Sequence, residues 1–307
     1  MLGIAVLHAP LAARAAEVDE FSYRRTGAKL ADSQPAIEAM INRLMQEGVD
    51  RANAKGRGCQ DAVLYKELRD HFHHHFFGDF VKRALRDPGV HPLYTPKPES
   101  IYRDVKTMEA LGLNKVVSGS DKILSPVLRL GNVVVGLDKF EHFFAWGYKY
   151  FKIYHWEKRP IEDALALGER SEQTYLGATN TGVYSYADLA ANFQGHRFWN
   201  HILGYERDIF GSRHQRGPFV TCRQNRWQVS TRVKLDHYVD LAWSESVNCS
   251  AFRIQTILQK VTSRAREMGF ECRGDSAELK KLAKRYGWLG NHLINLRGWY
   301  SLKEEAN

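Results

Sequence analysis

The sequence has few cysteines and no long hydrophobic run, and both features limit what the protein can be. Among 307 residues there are four cysteines, and because none are spaced as CxxC, a structural zinc site is not expected. No stretch approaches the roughly 18 apolar residues that a membrane-spanning helix needs. We therefore expect no integral membrane span.

Signature motifs for nucleotide binding and for the common hydrolase families are also missing. The chain contains no GxGxxG, P-loop, GxSxG, HExxH or EF-hand pattern, which removes most nucleotide-binding, triad-hydrolase and metalloprotease predictions. The segment 71–75 carries histidines at i and i+4, but no nearby acidic residue completes a metal-ligand set. We therefore predict neither a metal ion nor another cofactor.

What the sequence does have is an excess of positive charge. Lys and Arg number 44 against 35 for Asp and Glu, a net charge of +9, while 44% of residues are hydrophobic. The charge favours a polyanionic partner: nucleic acid, an anionic membrane surface or an acidic cell-wall polymer. The basic stretch 207–234 could follow phosphates, but no nucleic-acid-binding signature accompanies it, and such a run is more often a solvated lobe. We predict no nucleic-acid partner.

The N-terminus predicts export. An apolar run from Leu2 to Leu11 is followed by Ala13 and Ala15, small residues spaced as before a signal-peptidase site, and then by acidic residues. We therefore expect residues 1–15 to be a signal peptide and the protein to be periplasmic or secreted; a short N-terminal helix or strand is the alternative. In an exported protein the cysteines fit one or two disulfides, whose connectivity stays open.

Hydrophobic periodicity and capping signals predict a mainly α fold (α+β). Helices are expected at 33–48, 61–72, 138–156, 160–176, 185–203, 247–267 and 276–286, and a short hairpin within 124–137. No boundary is sharp. We divide the chain after the signal into an N-terminal helical region, 16–98, a core region, 99–255, and C-terminal helices, 256–307.

Glu172 is the main candidate for chemistry. At 100° per residue it falls within an apolar stripe of the 160–176 helix that contains Ile161, Leu165 and Leu176. Burial would raise its pKa, as a general acid near neutral pH requires. Alternatively, Glu172 pairs with Arg170 or Arg197, or the helix is rotated so that the carboxylate is exposed. Glu169 lies at the margin of the stripe.

The start of the 185–203 helix carries further candidates. Ser185 and Asp188 form a variant of the capping box, which structure alone explains. The functional alternative places Asp188 or Tyr184 across a cleft from Glu172. Asn192 lies four residues after Asp188 on the same helix face, where it could hold a polar ligand, and Gly195 indicates close helix packing.

The 138–156 helix begins with a similar pattern. Asp138 is a candidate cap with Glu141 as its reciprocal acid. His142 lies four residues after Asp138, whose carboxylate could fix the ring orientation; a packed core histidine is the alternative. Aromatic residues crowd this helix, and although most are expected in the core, some could form a platform for sugar rings.

Three segments together resemble a known family. They are GLDKFEHFFAWGYKYF (136–151), ERSEQTYLGATNTGVYSYADLAANFQGHRFW (169–199) and AWSESVNCSAF (242–252). They are similar to exported lysozyme-like proteins typified by the lysozyme with which predatory bacteria cut deacetylated peptidoglycan. The likeness covers roughly residues 100–255, and it departs at Glu141, where a small residue is expected. A weaker likeness, to the VanZ-like membrane family, rests on D-K-x-x-H-F and D-x-x-A-N-x-x-G, but no membrane spans surround these motifs.

The resemblance implies a lysozyme-like helical fold, with the hairpin lining a cleft, and hydrolysis of the β-1,4 bond of peptidoglycan glycan strands. It implies Glu172 as general acid, with Tyr184 and Ser185 on the facing wall. We predict Asp188 as the second catalytic group, and a water positioned by Tyr184 or Ser185, or assistance by the substrate itself, is the alternative. The predicted catalytic residues are therefore Glu172, Tyr184 and Asp188, and a monomer is the expected working form. The predicted substrate-binding residues are Glu169, Ser185, Asn192 and His142. The alternative function is a non-catalytic exported protein that binds the cell wall or a membrane surface.

Overall fold

A computed structural model describes residues 18–26, 29–72, 79–106, 124–174, 178–179 and 181–303. Within these ranges the fold is mainly α with short antiparallel strand pairs, which confirms the predicted fold class. The predicted signal peptide, 1–15, lies outside the described residues, as do the histidines at 73–75. No helix in the described part of the chain has both the length and the apolar character needed to cross a bilayer.

The helices follow the order predicted from the periodicity. Their bounds are α1 Glu20–Thr26, α2 Gln34–Ala54, α3 Asp61–Phe72, α4 Asp79–Ala84, α5 Lys139–Trp156, α6 Ile161–Gln173, α7 Tyr186–Leu203, α8 Gln255–Glu267, α9 Ala277–Tyr286 and α10 Gly290–Leu293. The largest difference is α8, which begins at Gln255 and not near residue 247, because the preceding segment contributes a short strand instead.

The strands form two-residue and four-residue antiparallel pairs. Their bounds are β1 Val127–Leu130, β2 Val133–Gly136, β3 Val183–Tyr184, β4 Val220–Arg223, β5 Arg226–Val229 and β6 Ala251–Phe252. β1 pairs with β2, which confirms the predicted hairpin, while β4 pairs with β5 and β3 with β6. β2 ends two residues before Asp138, so the hairpin fixes where α5 begins.

α5 is continuous but irregular. It contains two π turns, His142–Trp146 and Lys152–Trp156, joined by a regular α segment. A π turn inserts an extra residue and changes which side chains share a face, and such turns are frequent at functional sites. The first begins at His142. The expected cap is wrong, because the Asp138 side chain accepts a hydrogen bond from Lys139 and caps no backbone group.

α7 is the central helix of the fold. Its residues from Ala187 to Ile202 are buried, so polar side chains on it need partners inside the protein. Arg197 supplies one example: it forms an ion pair with Asp208 at 2.8 Å, and His201 contacts the same carboxylate at 2.9 Å. Arg197, one of the arginines considered for Glu172, is thus engaged elsewhere.

Two glycines allow α5 and α7 to cross closely. A Cβ built on Gly195 would lie 1.9 Å from the backbone oxygen of Phe143, and one built on Gly147 would lie 2.5 Å from Gly195. The close packing predicted from Gly195 is therefore confirmed. Around the crossing, aromatic rings fill the core. Phe143, for example, packs against Phe198, Tyr238 and Trp243.

Two disulfides connect distant parts of the chain. Cys59 pairs with Cys222, and Cys249 pairs with Cys272. The first fastens the loop after α2 to the β4–β5 hairpin in the basic stretch, whose arginines 213, 223, 226 and 232 are exposed. Disulfides persist in oxidising compartments, which agrees with the predicted export.

We predict that Gly195→Ala destabilises the protein by about 3 kcal/mol, because the added methyl meets backbone and the two helices must separate. Urea unfolding followed by circular dichroism measures the change. Lys280→Ala, at an exposed position of α9, is the control and should shift the free energy of unfolding by less than about 0.5 kcal/mol. Equal stabilities of the two variants would contradict the close crossing.

A second prediction concerns Glu20, whose carboxylate accepts hydrogen bonds from the Ser244 hydroxyl and the Ser246 amide. Burial raises the pKa of Glu20 to about 7, against the opposing effect of these bonds. The folded state therefore holds this proton more tightly than the unfolded state, so wild-type stability falls as pH rises from about 4.5 to about 7.

Glu20→Gln removes this contribution. The variant should gain stability relative to wild type as pH rises through that window, by at most about 3 kcal/mol, with no further gain above it. Chemical unfolding at about pH 5, 6, 7 and 8 measures the difference. A difference that does not change with pH would show that Glu20 is ionised throughout.

Candidate functional site

A buried ammonium group organises the candidate site. Lys139 is fully buried, and its Nζ lies 2.9 Å from Asp138 Oδ2, 2.7 Å from Asp188 Oδ1 and 2.7 Å from Glu245 Oε1. We call these four residues the Lys139 cluster. Burial alone would lower the pKa of Lys139, but the three carboxylates outweigh it and hold that pKa well above its ordinary value. The lysine is therefore a permanent cation.

The carboxylates of the Lys139 cluster experience different environments. Burial raises the pKa of Asp138. Burial also acts to raise the pKa of Asp188, but His142 and Lys139 outweigh it, and the pKa of Asp188 is lower than usual. The ionised form of Asp188 is thus the most clearly stabilised by its surroundings.

Ser185 connects the acidic residues. Its hydroxyl donates to Glu245 Oε1 at 3.0 Å and accepts from the Asp188 amide at 3.2 Å, while its own amide donates to Glu172 Oε2 at 3.4 Å. The cap predicted at Ser185 is confirmed. The same residue therefore caps α7 at the Asp188 amide and holds two carboxylates, those of Glu172 and Glu245, in place.

His142 lies between two side chains of α7. Its Nδ1 is 3.0 Å from Asn192 Oδ1, and its Nε2 is 3.3 Å from Asp188 Oδ2. Asp188 and Asn192, one turn apart on α7, orient the ring, whereas Asp138 was the expected partner. With its amide oxygen facing the ring, Asn192 can accept a hydrogen bond from Nδ1 of His142.

Glu172 lies at the edge of this arrangement, near the end of α6. It is 1% exposed, so the exposed alternative is wrong, and Ile161 and Leu165 of the apolar stripe are buried with it. Leu176, the fourth residue of the stripe, lies outside the described residues. Glu172, His142 and Asp188 each contribute one nitrogen or oxygen atom to a group of three atoms that lie within 4.8 Å of one another. The structure thus brings together three of the predicted site residues, and Ser185 and Asn192 contact them directly.

Two other predicted residues lie further out. Glu169 is partly exposed and accepts a hydrogen bond from His292 Nδ1 at 2.8 Å. Tyr184 is buried on β3 with its ring edge against Tyr186, and burial raises its pKa above the ordinary tyrosine range. Neither side chain has a direct hydrogen bond to the Lys139 cluster among the described contacts.

The sequence reasoning missed Lys139 and Glu245 as partners, and Glu141 as a titrating group. Burial, followed by the charges of Asp138 and Asp188, raises the pKa of Glu141 to about 7. The spacing of Asp138 and Glu141, two acids one helical turn apart, was the available signal for Glu141. The position of Lys139 between Asp138 and Glu141 in the sequence was the available signal for the lysine. Glu245 comes from a distant segment, and no local pattern predicts its contact.

Comparison with protein-family models, with curated proteins and with solved structures finds no match to this chain. The resemblance to lysozyme-like proteins, and the lysozyme-like form of the fold, therefore stay predictions that depend on the motifs.

We predict that Lys139→Met lowers the free energy of unfolding by about 3–5 kcal/mol at neutral pH, because it leaves carboxylates buried without their cation. The loss should shrink as pH falls, since protonation relieves their repulsion. Chemical unfolding measures both effects. Lys152→Met, at a half-exposed position of the same helix, is the control; an equal cost in both variants would show that the cluster contributes nothing particular to stability.

Proposed function

We propose that the protein is an exported hydrolase of peptidoglycan glycan strands, with Glu172 as its general acid. The observation that carries the proposal is the closeness of two acids from different helices. Glu172 lies on the buried face of α6, and Asp188, within 4.8 Å of it on α7, has its ionised form stabilised by His142 and Lys139. Most glycosidases use two neighbouring carboxyl groups, one of them as general acid.

The roles follow from these environments. Burial disfavours the charged form of a carboxylate, so Glu172 is suited to donate a proton to the glycosidic oxygen. Ionised Asp188 is suited to attack or stabilise the sugar cation that forms. One oxygen of each acid lies within 4.8 Å of the other acid, which is closer to the spacing of retaining enzymes, about 5–5.5 Å between carboxyl groups, than to the wider spacing of inverting enzymes.

Substrate contacts are assigned to the side chains nearest the pair. The Asp138, His142 and Asp188 side chains are 18%, 13% and 12% exposed, so they line the accessible side of the arrangement. We assign Ser185 and Asn192 to positioning His142 and Asp188, Glu169 to a neighbouring subsite, and Tyr184 to the facing wall. Carboxylates outnumber ammonium groups in the Lys139 cluster and around Glu172. The site is therefore acidic, which suits the protonated amine of a deacetylated sugar.

The compartment and the charge support the same proposal. Two disulfides fit a periplasmic or secreted protein. The net charge of +9 attracts the protein to the acidic cell wall. This attraction weakens as the salt concentration rises, because salt screens the charges. We propose that it acts there as a monomer.

We predict that Glu172→Gln lowers the release of reducing ends from deacetylated peptidoglycan sacculi by at least about 10²-fold, because the amide cannot protonate the leaving oxygen. Circular dichroism should show an unchanged fold. Glu162→Gln, at an exposed position in the first turn of α6, is the control and should retain full activity. Normal release by the Glu172→Gln variant would refute the assignment.

One observation favours a second candidate, a non-catalytic wall-binding protein. Trp156 and Tyr205 are 40% and 41% exposed, and both rings pack against Phe151. Adjacent exposed aromatic rings are suited to stack on sugars. Binding to sacculi that is lost in Trp156→Ala, with no release of reducing ends by the wild type, would favour this candidate.

A further inference from the structure

The side chains of His142, Glu172 and Asp188, which we call the His142 site, have the composition of a metal centre. Each offers a donor atom, and the three donor atoms lie within 4.8 Å of one another. They come from α5, α6 and α7, three helices whose mutual packing holds them in place. An imidazole with two carboxylates suits a transition-metal dication such as Zn²⁺ better than Mg²⁺ or Ca²⁺, which prefer oxygen ligands alone.

The imidazole is held through one nitrogen and faces the acids with the other. Asn192 is fully buried, and its amide oxygen lies 3.0 Å from Nδ1 of His142. The other ring nitrogen, Nε2, lies 3.3 Å from Asp188 Oδ2. Histidines that bind metals are usually held in this way through the other nitrogen.

One ligand separation matches a zinc site. Zinc bonds of about 2.0–2.1 Å place two ligand atoms of a tetrahedral site about 3.3 Å apart, which is the separation of Nε2 and Asp188 Oδ2. Asp188 can serve both neighbours because its other oxygen, Oδ1, contacts Lys139. The charges also favour a cation, because three carboxylates contact the Lys139 ammonium and the buried carboxylate of Glu172 lies beside Asp188.

We propose that the His142 site binds one Zn²⁺ ion through His142, Glu172 and Asp188, with Asn192 as the positioning residue that orients the imidazole. This departs from the expectation, based on sequence motifs, that no metal is bound. The site shares Glu172 and Asp188 with the proposed hydrolase, so zinc would occupy the group that must donate the proton. Bound zinc therefore inhibits glycan hydrolysis.

The test starts from full-length protein stripped of metal with a chelator and dialysed. Titration calorimetry with ZnCl₂ should show one ion per chain, and zinc should raise the thermal midpoint. His142→Asn should weaken binding by at least about 10²-fold, and Asn192→Ala, which keeps every ligand, by about 10–100-fold. His237→Asn is the control, because His237 also lies beside a carboxylate, Asp236, at 3.5 Å, but outside the site.

Zinc X-ray absorption on the wild-type protein tests the ligands without any variant. It should show scattering from one imidazole, with the remaining ligands being oxygen at about 2.0–2.2 Å. Absence of zinc binding, affinity unchanged in both His142→Asn and Asn192→Ala, or a spectrum without imidazole would each overturn the proposal.

The outcomes separate this inference from the proposed function. Zinc binding with no release of reducing ends from sacculi would retain the metal site and refute the hydrolase. Release of reducing ends that is lost in Glu172→Gln but unaffected by zinc would retain the hydrolase and refute the site.

Discussion

The buried ammonium of Lys139 is the interaction on which the candidate site depends. Three carboxylates from three separate segments, those of Asp138, Asp188 and Glu245, meet at this one group. Burying so many acids together would be strongly unfavourable without the cation, and burying the cation alone would be equally unfavourable. The contact therefore fixes the start of α5 against the start of α7 and against the segment before β6.

The charge distribution around this contact explains why neighbouring acids differ. Asp188 faces a permanent cation and an imidazole, which stabilise its ionised form, while Glu172 is held on the buried side of α6. The same division suits proton transfer to a glycan and also suits a dication shared by His142, Glu172 and Asp188. A proton and a metal ion then compete for one place, which connects the proposed reaction with its proposed inhibition.

Most helices could be predicted from the sequence because their signals are local. The cap at Ser185 and the hairpin after residue 124 depend on residues near one another in the chain, and both are confirmed. A glycine inside a helix marks a close approach wherever its partner lies, and the close packing at Gly195 is confirmed as well. An error arises where a side chain has a stronger partner than the backbone, since the expected Asp138 cap is replaced by the contact with Lys139.

By itself the sequence determined the helical periodicity and the shared face of Asp188 and Asn192. It made Glu172 and His142 candidates, but it left open whether Glu172 is buried and whether the His142 ring has an orienting partner. Only the tertiary structure decided that this partner is on α7, that Glu245 completes the Lys139 cluster, and that Cys59 pairs with Cys222. Periodicity reports which face of an element is buried, but long-range electrostatic contacts depend on how whole elements pack, and no local pattern contains that information.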